Sequence, residues 1–242
     1  IGPIVRDRAV LARHWKIIAL LALLGVGLFQ ILAYWGLRTT TATNGALLNA
    51  SVPMMVVILG WAFFGERLHW RIALGVLISA IGVTVIIVRG DANVLRGLAF
   101  DRGDLLILAA MLIWALYTIA LRWQPRGLHR LSVLGATFGI GWCLTALAYA
   151  GELAAGVHGR YDPATAAALV WIGVFPSLVA YFCWAYGVER VGAARAGVFA
   201  HLIPVFAAVL AILLLDERLH AYHLAGFGLV LAGIALANRR AR

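Results

Sequence analysis

Two charge clusters and one histidine stand out because nearly everything around them is apolar. Glu66-Arg67 and Glu217-Arg218 each set a carboxylate beside a guanidinium, the material of acid–base chemistry or of a plain ion pair. His201 lies within a long apolar run, where an imidazole that titrates near neutral pH could relay a proton or hold a solute. The other apolar runs carry neutral polar and aromatic side chains at helical spacing. Gln30 stands four before Tyr34, Asn44, Asn49 and Ser51 follow one another, Trp114 precedes Tyr117 and Thr118, and Ser177 leads to Tyr181 and Trp184. Residues three or four apart share a helix face. Such faces suit an apolar, aromatic-lined cavity with a few hydrogen-bonding groups, fit for a neutral or zwitterionic solute with a hydrophobic part.

Gln30, Tyr34, Asn49, Ser51, Trp114, Tyr117, Ser177, Tyr181, Trp184 and His201 are therefore the candidate substrate-binding residues. Each has a plainer reading beside it. Ser177, Tyr181 and Trp184 could equally be packing, Asn49 and Ser51 could bond between helices, and His201 could be a bonded structural histidine. Trp35, Trp61, Trp70 and Trp171 sit near run ends, where tryptophan anchors a helix at a membrane surface. Pro53 and Pro204 each free a backbone carbonyl one turn earlier, which makes them candidate hinges or packing kinks. The two Glu-Arg pairs fall at corners between runs, which favours capping over catalysis.

The composition sets the class. Of 242 residues, 64% are hydrophobic and 12% charged, against about 25% charged in a soluble domain, and the mean hydropathy is +0.95. Eight apolar runs, near 17–37, 43–64, 71–88, 105–122, 131–150, 166–187, 196–215 and 221–238, are each long enough to cross a bilayer. Each must be helical, since lipid offers no partner for an open backbone. The net charge of +10 does not point to nucleic acid, because the arginines are scattered singly between apolar runs. Cys143 and Cys183 have no metal or redox spacing. No HExxH, GxSxG or GxxxxGK[ST] pattern is present. An enzyme, a metal site, a cofactor and direct ATP drive are accordingly not expected.

The chain contains itself twice. Residues 49–69 and 200–220 align without a gap at an offset of 151, pairing Pro53 with Pro204 and Glu66-Arg67-Leu68-His69 with Glu217-Arg218-Leu219-His220. The register extends from Gly36 with Gly187, through Gly75 with Gly226, to Gly82 with Gly233. The runs at 105–150 have no partner, and their counterparts would precede Ile1. The expected architecture is an all-α integral membrane fold, an inverted five-plus-five helix repeat with eight transmembrane helices in this chain and the first two absent. The domains are then 1–90, the remainder of the first repeat with three helices, and 104–242, the second repeat with five. Eight crossings put both termini on one side. Arg38, Arg89, Arg96, Arg102, Arg160 and Arg218 fall on the other, leaving 14 of the 20 basic residues with the termini. The positive-inside rule then places both termini in the cytoplasm.

This pattern resembles the EamA-type transporters of the drug/metabolite transporter superfamily. The residues that carry the likeness are Tyr34-Trp35-Gly36-Leu37, Thr39 to Ala46, Pro53 and Gly65-Glu66-Arg67-Leu68, then Trp184 to Gly187, Val191-Gly192-Ala193, Pro204 and Asp216-Glu217-Arg218-Leu219. Trp114-Ala115 with Tyr117 resembles the opening helix of a repeat. The resemblance implies a secondary transporter in a bacterial-type inner membrane, exporting small metabolites by alternating access. Amino acids, aromatic ones included, are the favoured class. Drugs or sugar conjugates are the alternative, and a non-transporting scaffold is a more distant one. Its partners would be a small-molecule substrate and lipid, with the chain a monomer or weak dimer.

Overall fold

The computed structural model describes residues 2–66, 69–125, 127–159, 162–214 and 218–239. The Glu-Arg corners fall partly outside them: Arg67, Leu68, Asp216 and Glu217 are not described. Eight helical stretches among the described residues are long and apolar enough to cross a membrane: Trp15–Gly36, Ala42–Phe64, Trp70–Ile87, Arg102–Trp123, Arg130–Ala154, Pro163–Val191, Ala193–Leu214 and Ala221–Asn238. They match the eight apolar runs, with ends shifted by a few residues. Several are interrupted where the sequence suggests a continuous helix.

The elements in order are α1 (Gly2–Arg13), α2 (Trp15–Leu21), a π-helical turn (Ala22–Leu28), α3 (Phe29–Gly36), α4 (Ala42–Asn49), α5 (Val52–Phe64) and α6 (Trp70–Ile87). The short α7 (Ala92–Arg96) follows, then α8 (Arg102–Ala120), α9 (Arg130–Ala154), α10 (Pro163–Ile172) and a second π-helical turn (Gly173–Val179). The chain ends with α11 (Ala180–Val191), α12 (Ala193–Phe199), α13 (Leu202–Leu214) and α14 (Ala221–Asn238). The offset of 151 recurs in the fold. It carries the first π turn onto the second and α6 onto α14. It also carries Ala50, in the break at Ala50-Ser51, onto His201, in the break at Ala200-His201. The repeat is thus one of interrupted helices, the π turns in register and the breaks offset by one residue.

Contacts divide the chain into two compact units, one of Ile1–Ile31 and Ala120–Arg190, the other of Leu32–Ile119 and Val191–Arg242. In the first, α1 and α2 pack on α9 through Leu11, Ile18 and Val133. A side chain at Gly141 would strike Val26 of the π turn, so glycine there lets α9 approach closely. Asp7 of α1 accepts from the Ser132 hydroxyl at 2.7 Å and from the His129 amide at 3.2 Å. These bonds, Ser132 first, hold its carboxyl below the usual carboxylate range. Arg130 of α9 pairs with Glu189 of α11 at 3.1 Å and lies over the Tyr186 ring.

In the second unit α6 and α14 run against each other along their length. A Cβ at Gly75 would fall 2.5 Å from the Gly233 carbonyl oxygen, and one at Gly82 would fall 2.7 Å from that of Gly226. The two backbones therefore touch at two repeat-related pairs of glycines, at each of which an added side chain would not fit. Small residues at such crossings are how helices pack in lipid, where no hydrophobic force drives them together. Val76, Val83, Val198 and Val230 fill the core on either side. Gly75→Ala is expected to force these backbones apart, at a cost of about 1–3 kcal/mol, or roughly 3–10 °C in melting temperature in detergent. Gly139→Ala, where nothing lies within 4 Å of the added carbon, is the control and should melt at or above the parent. Equal melting of the two variants would contradict this reading of the crossing.

Candidate functional site

The structure places the candidate residues in both units and gives most of them specific polar partners. In the first unit, Pro176 sits inside the π turn at 173–179. Proline has no N–H to reach back four residues, so the Ile172 carbonyl loses its usual donor. The hydroxyl of Ser177 donates to that carbonyl at 2.9 Å. Ser177 is half-buried, and its hydroxyl adds a donor at the carbonyl that a π-helical turn otherwise leaves to the Ser177 amide. The repeat-related position is Gly25, in the first π turn, and its carbonyl accepts from the hydroxyl of Tyr181. Tyr181 is 4% exposed and meets Phe138 edge to face at 5.2 Å. It ties α11 to the first π turn. Trp184 is half-buried one turn later.

In the second unit, His201 is 1% exposed and engaged at both ring nitrogens. Nε2 lies 3.0 Å from the Ala50 carbonyl and Nδ1 lies 2.6 Å from the Ser79 hydroxyl. A carbonyl only accepts, so Nε2 carries a proton, while the Ser79 hydroxyl that meets Nδ1 is also within reach of the Gly75 and Val76 carbonyls. Ala50 is the residue that the repeat superposes on His201. The two helix breaks therefore meet side chain to backbone, with Ser79 of α6 holding the ring from the other side. Ser51 donates to the Leu48 carbonyl at 2.6 Å, closing the end of α4.

The structure also places the other sequence candidates. Gly197, His201 and Pro204 stand at spacings that a continuous helix would bring to one face, but α12 ends at Phe199 and α13 starts at Leu202. Pro53 and Pro204 stand in the first turns of α5 and α13, where proline fits a helix start, and Gly197 packs on Pro53 at 3.5 Å. Each proline thus begins a new helix after a break instead of bending a continuous one. Tyr117 and Thr118 are 2% and 0% exposed. Thr118 donates to the Trp114 carbonyl, and the Trp114 and Tyr117 rings lie 5.1 Å apart. Tyr34 is 54% exposed and Gln30 and Asn49 are half-buried. Glu66 folds back over Gly60, with its amide donating to the Gly60 carbonyl beyond the left-handed Gly65. That is a cap at the corner, as its position suggests.

One polar centre has no counterpart in the sequence reading. The fourth run is helical from Arg102 rather than 105, so Asp104 lies in the first turn of α8, 1% exposed. It accepts from the Thr40 hydroxyl, from Asn44 Nδ2 at 3.0 Å and from the Asp101 amide at 2.9 Å. Asp101 in turn accepts from the Asp104 amide at 3.0 Å. The Asp101-x-x-Asp104 spacing ahead of an apolar run is a capping-box signal that was available in the sequence. A carboxylate there also complements the helix dipole. Among the described residues no three His, Cys, Asp or Glu gather as a metal site would require.

Fold, interrupted repeat and neutral spans define a helical membrane transporter, and comparison with known proteins agrees. The EamA-like transporter family model matches residues 3–88 and 101–239, so the chain belongs to that family. A probable terminal-alkyne amino-acid exporter of Streptantibioticus cattleyicolor is 31% identical over 231 residues, 95% of this chain and 75% of its own. An uncharacterized transporter of Archaeoglobus fulgidus is 26% identical over 94% of this chain and 77% of its own. The uncharacterized transporter YyaM of Bacillus subtilis is 25% identical over 90% and 71%. A solved crystal structure superposes with a TM-score of 0.74 over 98% of this chain and 83% of the other, at 22% identity, which shows the fold.

If the polar side chains in the spans serve freed backbone carbonyls, their removal should register as lost stability. Tyr181→Phe should cost about 0.5–1.5 kcal/mol, one hydrogen bond. His201→Phe should cost about 1–3 kcal/mol, because it leaves the Ala50 carbonyl buried and unpaired. Thermal melting of each variant in detergent checks this. Two variants that melt with the parent would show that neither bond supports the fold.

Proposed function

We propose that this chain is a secondary transporter that exports small zwitterionic solutes from the cytoplasm, amino acids foremost and aromatic ones among them, by alternating access. The observation that carries the reading is the 31% identity, over 95% of the chain, to a protein whose own name is probable terminal-alkyne amino-acid exporter. The residues support it. Asp104, in the first turn of α8, is held by three donors, and among the described residues the acidic and basic side chains of the spans lie in their first or last turns, so the spans offer no strong field for a doubly charged solute. Gln30, Tyr34, Asn49 and Trp184 retain exposed surface, as neutral and aromatic solute contacts require. The repeat-related breaks at Ala50-Ser51 and Ala200-His201 supply the discontinuous helices that transporters use to present backbone groups to a solute. The arginine bias supports both termini lying in the cytoplasm of a cell with an inner membrane.

The test is counterflow of a panel of labelled amino acids in proteoliposomes made with the complete protein. One or more apolar or aromatic amino acids should exchange. Trp184→Ala should weaken their apparent affinity about 5- to 30-fold, the loss of about 1–2 kcal/mol of stacking and cation–π contact. A panel on which no amino acid exchanges, with other organic solutes active, would contradict the proposed substrate class.

A further inference from the structure

We infer that the ends of α6, α12 and α14 form a binding site for a phosphate-ester anion, with the headgroup of an acidic phospholipid as its favoured source. The inference does not depend on which solute is transported. A cavity of about 130 Å³, the space of a few waters, is lined by His69, Trp70, Arg71, Arg195 and Arg239, with Ile72 and Ala237 behind them. Three arginines and a histidine thus line one small opening. Guanidinium groups match phosphate oxygens in geometry as well as charge. The cavity also opens where α6 begins. His69 is the residue before its first turn and gives that turn no side-chain cap, so the positive end of an 18-residue helix adds to the field.

Two observations favour lipid over a soluble ester. Trp70, in the lining, is 64% exposed and stacks with Arg71 at 5.4 Å, the placement of an interfacial tryptophan beside a basic residue at headgroup depth. The whole cluster also lies on the side richer in arginine, where acidic lipids are drawn. The repeat shows that the cluster is not imposed by the fold. At the offset of 151, Arg71, Arg195 and Arg239 answer to Tyr222, Asn44 and Val88, so the same three positions in the other copy carry no charge.

The test is native mass spectrometry of the detergent-solubilised complete protein, titrated separately with phosphatidylglycerol, phosphatidylcholine and glycerol 3-phosphate. Phosphatidylglycerol should be retained over phosphatidylcholine, and the Arg195→Gln/Arg239→Gln pair should lower its affinity about 5- to 10-fold. Arg195→Lys/Arg239→Lys should recover part of the loss. Arg239→Gln alone, past the last turn of α14 and exposed, should show a smaller fall in the same direction and serves if the pair does not fold. Binding of glycerol 3-phosphate that needs both arginines, without preference for phosphatidylglycerol, would support the anion site and assign it to a soluble ester. Unchanged binding of both phosphate esters in the folded glutamine variants would overturn the proposal.

Discussion

A helix interrupted inside hydrocarbon leaves carbonyls that no water can reach, and four of the described spans of this protein are interrupted, two by repeat-related π turns and two by breaks. The polar side chains within the spans answer that constraint one by one. Ser177 takes the carbonyl that Pro176 abandons, Ser51 takes the last turn of α4, Tyr181 takes Gly25 in the first π turn, and His201 takes Ala50. The buried side-chain nitrogens and oxygens of the described residues all have partners, as a chain in lipid requires. Interruption and satisfaction belong to one design: the breaks give the helices places to change direction, and the side chains let the breaks exist.

Duplication distributes these tasks unequally. The two π turns superpose, yet one contains Pro176 and the other Gly25 at the same place. The two helix breaks overlap at Ala50 and His201, yet one supplies an imidazole and the other the carbonyl that receives it. The backbone repeat is therefore preserved while its chemistry diverges. This is the condition under which a symmetric scaffold can handle a solute that has no symmetry. Along α6 and α14 the divergence spares the two contact glycines. Both copies keep glycine at the positions where their backbones touch, because a single added carbon on either side would meet a carbonyl oxygen.

The sequence showed the class and the repeat clearly, since eight apolar runs and a gapless offset are long-range signals that a few residues cannot obscure. It also singled out Tyr181, Ser177, Ser51 and His201 as unusual. What it did not show was direction. A hydroxyl or imidazole at span depth can face a cavity or a neighbouring carbonyl, and helical periodicity does not distinguish these. The deciding facts were the π turns and breaks, which depend on whether a given carbonyl finds its donor. Pro176 was visible as a proline, but its link to Ser177 emerges only once the Ile172 carbonyl is traced. Asp104 was missed for a simpler reason: apolar periodicity starts at Leu105, while the helix starts three residues earlier on a cap formed with Asp101.

The central claim is that His201 holds the carbonyl of its own repeat mate. Infrared spectroscopy of the protein carrying a 13C=18O label at Ala50 tests it directly, because a hydrogen bond lowers the stretching frequency of the carbonyl that accepts it. The account predicts that His201→Phe moves the labelled band to higher frequency while a label at Ala208, within unbroken α13, stays where it was. A labelled Ala50 band at the same frequency in parent and variant would contradict it.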